Sequence, residues 1–369
     1  DEFMRLKRGS VTRRHFLGVT GLGLAAATLG VPTQPFRDAA QAQPVGNQVR
    51  LHSWPNYHDP ATFEAFTAAT GIAVDVTVSG SNEEMLQKLK LGTAHWDLIV
   101  PTNYVIAPYV ELGLIDELDL SRLSNYDARA QNLLFTGAGE VSGRVFALPK
   151  NWGTTGIASN TAHLPRPVAS WKEFFSTAMN EASGRTIIHD YQLTAIGSAL
   201  VSLGYSFNSI DPHELAEAER LLLSAKPHLT AVDSDYQPAM RAGDAWLAMC
   251  WASDGQQLHR DIPEIDYRLG SDGGEIWTDF YAIPSAARNR AEAYALLNFL
   301  LDPQVAVNEH LANGAATTDS RVLDLLPREI RTSRIIYPDQ AALDVLEFGA
   351  AVTLTDKTRA DIMARFRAA

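Results

Sequence analysis

The stretch FALPKNWGTTGIASN, residues 146–160, reads as one long strand, long enough to pass from one domain to another. A second strand-like run, EIWTDFYAIP at residues 275–284, sets a carboxylate, Asp279, two positions after Trp277 in an otherwise apolar wall. An unpaired charge there is expensive, so Asp279 needs a cationic partner or a path to water. The partner is either a Lys or Arg of the chain itself or something the protein is built to hold.

Before residue 146 the pattern is regular. VRLHSW reads as a strand. DPATFEAFTAATG reads as a helix, with Asp59 as cap, Pro60 at its first position and Gly71 at its stop. IAVDVTVS alternates as a strand does, SNEEMLQKLKLG is a helix capped by Ser81 or Asn82, WDLIVP is a buried strand and VIAPYVELG a helical turn. This β-α-β-α-β series implies an α/β protein with an open sheet and ligand contacts at the carboxyl ends of its strands. Beyond residue 160, SWKEFFSTAM, LTAIGSALVSLG, DPHELAEAERLLLSAKP and AEAYALLNFLLDP read as helices, and GRTIIHD and DAWLAMCWAS as strands.

The N-terminus reads as an export leader. Asp1, Glu2 and Phe3 are taken as residues added ahead of the native start at Met4. TRRHFLG at residues 12–18, an apolar Gly/Ala-rich run and Ala40-Gln41-Ala42 give a basic region, a short apolar region and a small-residue cleavage site. Arg13-Arg14 make it a twin-arginine signal, expected to be cleaved after Ala42, which places the mature protein in the periplasm. The whole chain carries −12. The leader holds six Lys/Arg and three Asp/Glu, so its removal leaves −15 on 327 residues, enough for two domains. Such acidity disfavours nucleic acid and anionic lipid and favours cationic partners. Cys250, the single cysteine, lies in the apolar run WLAMCW and reads as a core thiol.

Catalytic signatures are absent: no nucleophile elbow, P-loop, dinucleotide fingerprint or HExxH occurs. His52 and His58 flank Trp54 without zinc-site spacing. Neither a metal nor a cofactor is expected. The rival class, a periplasmic enzyme exported already folded, would betray itself by the absorbance of a bound cofactor.

The aromatics gather at strand exits: Trp54 and Tyr57 after the first strand, Tyr104 after the third, Trp251 with Asp254 in CWASD, Trp277 with Asp279 in IWTDF, and Trp152 in NWGTTG. Indole faces beside carboxylates suit an alkyl-ammonium ligand. The rings attract the cation at about 0.5–2 kcal/mol each, and charge-assisted bonds to carboxylate add direction.

In order along the chain, WPNYHDPATFEAFTAATGI, SNEEMLQKLKLGTAHWDLIVPTNY, LPKNWGTTGIASN, SWKEFF, LGYS, EIWTDFYAIP, NFLLDPQVA and YPD resemble the periplasmic spermidine/putrescine-binding proteins of ABC transporters. The resemblance implies a two-lobed type II periplasmic-binding-protein fold with a central ligand cleft, a monomer that closes on its ligand and hands it to an inner-membrane permease. Lobe 1 would take residues 47–150 and 280–320. Lobe 2 would take 151–279, with the C-terminal helices of 321–369. By position, Trp54, Tyr57, Tyr104, Trp251 and Trp277 would form an aromatic box, Asp279 would bind an ammonium group, and Asp254 a further amine as in the putrescine-binding branch.

The chain also departs from that pattern. Asn56 stands where many members have an acid, and the acids that hold the far amine fall at Tyr191 and Thr194. Ala315 replaces a cleft tyrosine, and a C-terminal glutamine falls near Gly349. Lys150 replaces an apolar or aromatic hinge residue. It reads either as a solvated hinge lysine or as a cleft cation suited to a carboxylate or phosphonate. The second option would make the ligand a zwitterion or modified amine.

Overall fold

The computed structural model describes residues 46–55 and 57–369; the leader expected over residues 1–42 and the site candidate Asn56 lie outside the described residues. Strand β1 (Gln48–Ser53) buries Val49 and Leu51 completely. In α1 (Pro60–Thr70) the Asp59 carboxylate accepts the Ala61 N–H at 3.0 Å, Pro60 fills a first-turn position that needs no N–H, and Gly71 ends the helix at φ 75°. Strand β2 (Ala73–Val78) runs parallel to β1. Helix α2 (Asn82–Lys90) is capped by Ser81, whose hydroxyl accepts the Glu84 N–H at 3.2 Å. Strand β3 (Leu98–Ile99) lies on the other side of β1 and leads into α3 (Asn103–Glu111). β3 is shorter than WDLIVP suggests, because Pro101 has no N–H to continue the ladder.

The second half begins with β4 (Ala147–Asn160), buried along its whole length. Then come α4 (Trp171–Met179), β5 (Thr186–Ile188), α5 (Gln192–Ser202), α6 (Pro212–Ala225) and β6 (Leu229–Val232). Strand β7 (Leu247–Trp251) turns directly into α7 (Ala252–Asp261), a helix that the strand-like reading of DAWLAMCWAS does not anticipate. Next are β8 (Ile265–Arg268), β9 (Gly274–Ala282), α8 (Arg290–Leu300) and α9 (Pro303–Asn313), and finally β10 (Leu346–Phe348) and α10 (Lys357–Ala368).

These strands form one sheet in the order β2-β1-β3-β9-β4-β7-β5-β6, with β8 on β4 and β10 on β9. The two long strands β4 and β9 are antiparallel neighbours at its centre. On one side, Val49, Leu51, Phe66 and Leu98 pack with Leu296 and Leu297 of α8. On the other, Ala158, Ile187, Ala248 and Ile265 pack with Met240 and Leu258.

The β4/β9 ladder has one irregularity. Asp279 lies opposite Asn151, but Phe280 lies opposite Pro149, so Lys150 is an extra residue in β4. A bulge of this kind bends the strand and re-aims the side chains beside it.

A buried acidic and aromatic site on the central strands

Side chains two apart on a strand share a face, so Glu275, Trp277 and Asp279 of β9 point the same way. Across the ladder they meet Thr155, Gly153 and Asn151 of β4. Thr155 in turn faces Trp251 of β7. The face therefore carries rows of paired residues, and the middle row needs glycine. A Cβ on Gly153 would lie 2.5 Å from Cζ2 of Trp277, so the indole rests directly on the β4 backbone.

Asp279 is 6% exposed. Thr102 donates its hydroxyl to Oδ1 at 2.7 Å, and Tyr57 donates its phenol to Oδ2 at 2.5 Å. The Tyr57 oxygen also lies 2.6 Å from the Asn151 amide. A phenol has one proton and the carboxylate is the stronger acceptor; the Asn151 orientation that satisfies all three groups turns its NH₂ to the phenol oxygen. Burial pushes the Asp279 carboxyl up to about 6, against the pull of the two hydroxyls and the Lys150 charge. Among the described residues, Asp279 has hydroxyl partners and no ion pair.

Four positions back, Glu275 is 2% exposed. Both its hydroxyl donors, Thr155 at 2.7 Å and Thr194 of α5 at 2.8 Å, meet the same oxygen, Oε2. Burial pushes this carboxyl up to about 7, and the charge of Asp279 adds to the effect. Glu275 is absent from the sequence-derived candidates, although the alternation in EIWTD places it on the Asp279 face. Thr194, where the family resemblance places an acid, thus donates its hydroxyl to an acid on β9.

A polar chain leads from Asp279 into α2 and α5. Asn82 donates to the Thr102 hydroxyl at 2.9 Å and to the Tyr191 phenol at 3.1 Å. Tyr191 and Tyr104 share a 2.6 Å bond between their hydroxyls, and Tyr104 lies 3.4 Å from the half-buried Glu83. Tyr191, a departure from the family pattern, is therefore what connects Tyr104 to the site. Gly349 lies flat against Tyr104, where a Cβ would come within 3.3 Å of the ring.

The remaining candidates are placed as follows. Trp54 is half-buried and donates its indole N–H to the Val100 carbonyl at 3.0 Å. Trp251 packs beside His189, ring centres 4.7 Å apart. Asp254, in the first turn of α7, accepts the Tyr236 phenol at 2.7 Å, and burial raises its carboxyl. That bond holds Asp254 with Tyr236 rather than with Glu275 or Asp279. Trp152 belongs to packing: it stacks on Phe135 at 4.3 Å and donates to the Thr317 carbonyl at 3.0 Å.

Lys150 is 8% exposed, which overturns its reading as a solvated hinge lysine. The bulge carries its ammonium over the Tyr57 ring, 4.3 Å from the centroid and 3.4 Å from the Tyr57 carbonyl. There it lines a small cavity with Gln131, Tyr281, Glu309, His310 and Asp319. Burial lowers its basicity, against the pull of Glu309 and Asp279.

Residues 61–318 match the family model described as bacterial extracellular solute-binding protein. The chain is 32% identical over 300 residues to the spermidine/putrescine-binding periplasmic protein of Escherichia coli K12, covering 79% of this chain and 84% of that protein. It is 29% identical over 323 residues to a putrescine/cadaverine-binding protein of Pseudomonas aeruginosa, covering 84% and 90%. The solved spermidine/putrescine ABC transporter substrate-binding protein of Streptococcus pneumoniae superposes with a TM-score of 0.70 at 26% identity, over 88% of this chain and 99% of the other.

Proposed function

The chain belongs to the bacterial extracellular solute-binding proteins, and from that membership we propose that it captures a polyamine or related primary amine and delivers it to an ABC permease. Its fold is the two-lobed α/β arrangement of such proteins. One observation carries the choice of ligand: Asp279 is buried beside Trp277, bonded to hydroxyls and paired with no cation among the described residues. A buried carboxylate in that state is completed by a positive charge that brings its own hydrogen-bond donors. The names of the curated relatives, which bind spermidine, putrescine or cadaverine, support the same class.

No bond is made or broken in this reading. The ligand ammonium would donate to Asp279 while its methylenes lie along the Trp277 and Trp251 rings. Closure of the two lobes would then shift the population toward the form the permease accepts. We place the hinge at the β4/β9 bulge, with lobe 1 taking residues 47–150 and 280–320 and lobe 2 taking 151–279 and 321–369. The protein would act as a monomer in the periplasm, exported by the twin-arginine route, with no enzymatic step.

Isothermal calorimetry with putrescine, cadaverine, agmatine and spermidine tests the proposal. Micromolar or tighter binding of at least one amine is expected, with a loss of about a hundredfold or more in Asp279→Asn. No heat from any of the four would end it. A zwitterionic ligand read by Lys150 is the competing outcome. It would show as tenfold weaker binding of that ligand in Lys150→Ala, with the simple amines inert.

A further inference from the structure

We infer that Glu275 is the second anchor of the ligand and that its spacing from Asp279 selects an α,ω-diammonium chain of four or five carbons. The inference rests on the amine reading above and adds the ligand's length and second charge.

Three features of the geometry support it. Glu275 and Asp279 lie on one face of β9, four residues apart. A strand rises about 3.3 Å per residue, which sets their Cα atoms about 13 Å apart. A four- or five-carbon diamine spans about 6–7.5 Å between nitrogens, and about 2.8 Å to a carboxylate oxygen at each end brings the total to about 12–13 Å. A longer triamine overshoots by about 4 Å on the same geometry. Between the two acids along β9 stands Trp277, its indole against Gly153, an apolar surface for methylenes.

The chemistry of Glu275 fits this role. Both threonine hydroxyls occupy Oε2, which leaves Oε1 free to accept from a ligand. A purely structural acid would instead sit there protonated, held by Thr155 and Thr194, with no interest in the ligand. The two roles differ in what they do to diamines relative to monoamines.

The experiment compares 1,4-diaminobutane with 1-aminobutane by calorimetry at pH 8. In the unaltered protein the diamine is expected to bind about thirtyfold or more tightly than the monoamine. In Glu275→Gln that ratio should fall below about threefold. Thr194→Val, which removes one donor from Oε2 at nearly constant volume, should lower the ratio several-fold and serves if the glutamine variant fails to fold. A ratio that survives both substitutions overturns the role of Glu275 and leaves the amine reading intact. An unaltered protein that binds neither amine overturns both.

Discussion

Tyr57 and Asp279, 222 positions apart in the chain, are joined by a 2.5 Å hydrogen bond between phenol and carboxylate. The bond ties the loop after β1 to the middle of β9, and it gives the acid a neutral donor where a cation would complete it. Tyr57→Phe removes that donor. The Asp279 carboxylate then loses a hydrogen bond to a charged group, of the order of 1.5–3 kcal/mol. Amine affinity at pH 7 should fall about tenfold, and the pH at which binding is half-maximal should rise. An unchanged pH profile by calorimetry would show that Tyr57 does not stabilise the ionised acid.

Acid strength in the site makes binding depend on pH. Burial pushes Asp279 up to about 6 and Glu275 up to about 7. A diammonium ligand held by both acids needs both ionised, so its affinity should rise from pH 5 to about pH 8 and then level. The contribution of these two carboxyls to the stability of the unliganded protein should run the other way. Each binds its proton more tightly folded than unfolded, so between about pH 4 and pH 7 their contribution falls as pH rises, against the buried His52, His58, His189 and His310, whose lowered basicity adds stability over the same range. Melting curves at pH 5 and 8 of the unaltered protein and of Glu275→Gln isolate the carboxyl contribution, and ligand stabilisation should be larger at pH 8.

Replacing Asp279 should separate function from stability. Asp279→Asn removes a charge that is costly to bury. The unliganded variant should melt a few degrees higher at pH 8 while losing amine binding, the trade expected where a site is built at the expense of the fold. A lower melting temperature would mean that the hydroxyls of Tyr57 and Thr102 already balance the charge.

The Trp277–Gly153 contact predicts a steric effect. Gly153→Ala sets a methyl 2.5 Å from the indole, too close for either to stay. Overpacking of this kind costs about 1–3 kcal/mol. The melting temperature should drop by several degrees, and amine affinity should fall with the displaced ring. Trp277 fluorescence should shift in the same variant.

Lys150 gives a prediction opposite in sign to its sequence reading. Its ammonium lies over Tyr57, and its charge reaches Asp279. Lys150→Met should raise the pH midpoint of binding, because the acid loses a favourable charge. At pH 8, where Asp279 is ionised anyway, the amine should bind a few-fold more tightly without the neighbouring positive charge. Weaker amine binding at pH 8 would show instead that Lys150 holds Tyr57 in place.

Local order was readable from the amino acids alone. Asp59 and Ser81 cap the helices expected of them, and Ser170 and Asp211 cap the helices within SWKEFFSTAM and DPHELAEAERLLLSAKP, since a cap bonds to an N–H only two or three residues away. Asp279 stands out as a charge in an apolar strand, and the alternation in EIWTD puts Glu275 on the same face. Trp152 and Trp251, by contrast, look alike in sequence. The first packs against Phe135 and the second beside His189, because the two occupy different strands facing different layers.

Short-range chemistry, namely periodicity, caps and one conspicuous acid, settled most of the long helices and strands, α7 excepted, and that a charge had to be accommodated near residue 279. The long-range pairing of β4 with β9 settled the rest: that Gly153 meets Trp277, that Glu275 faces Thr155, and that Lys150 is the unmatched residue turned onto Tyr57. Register between strands more than a hundred residues apart depends on the packing of the whole sheet, and a slip of one residue would turn each of these side chains to the other face.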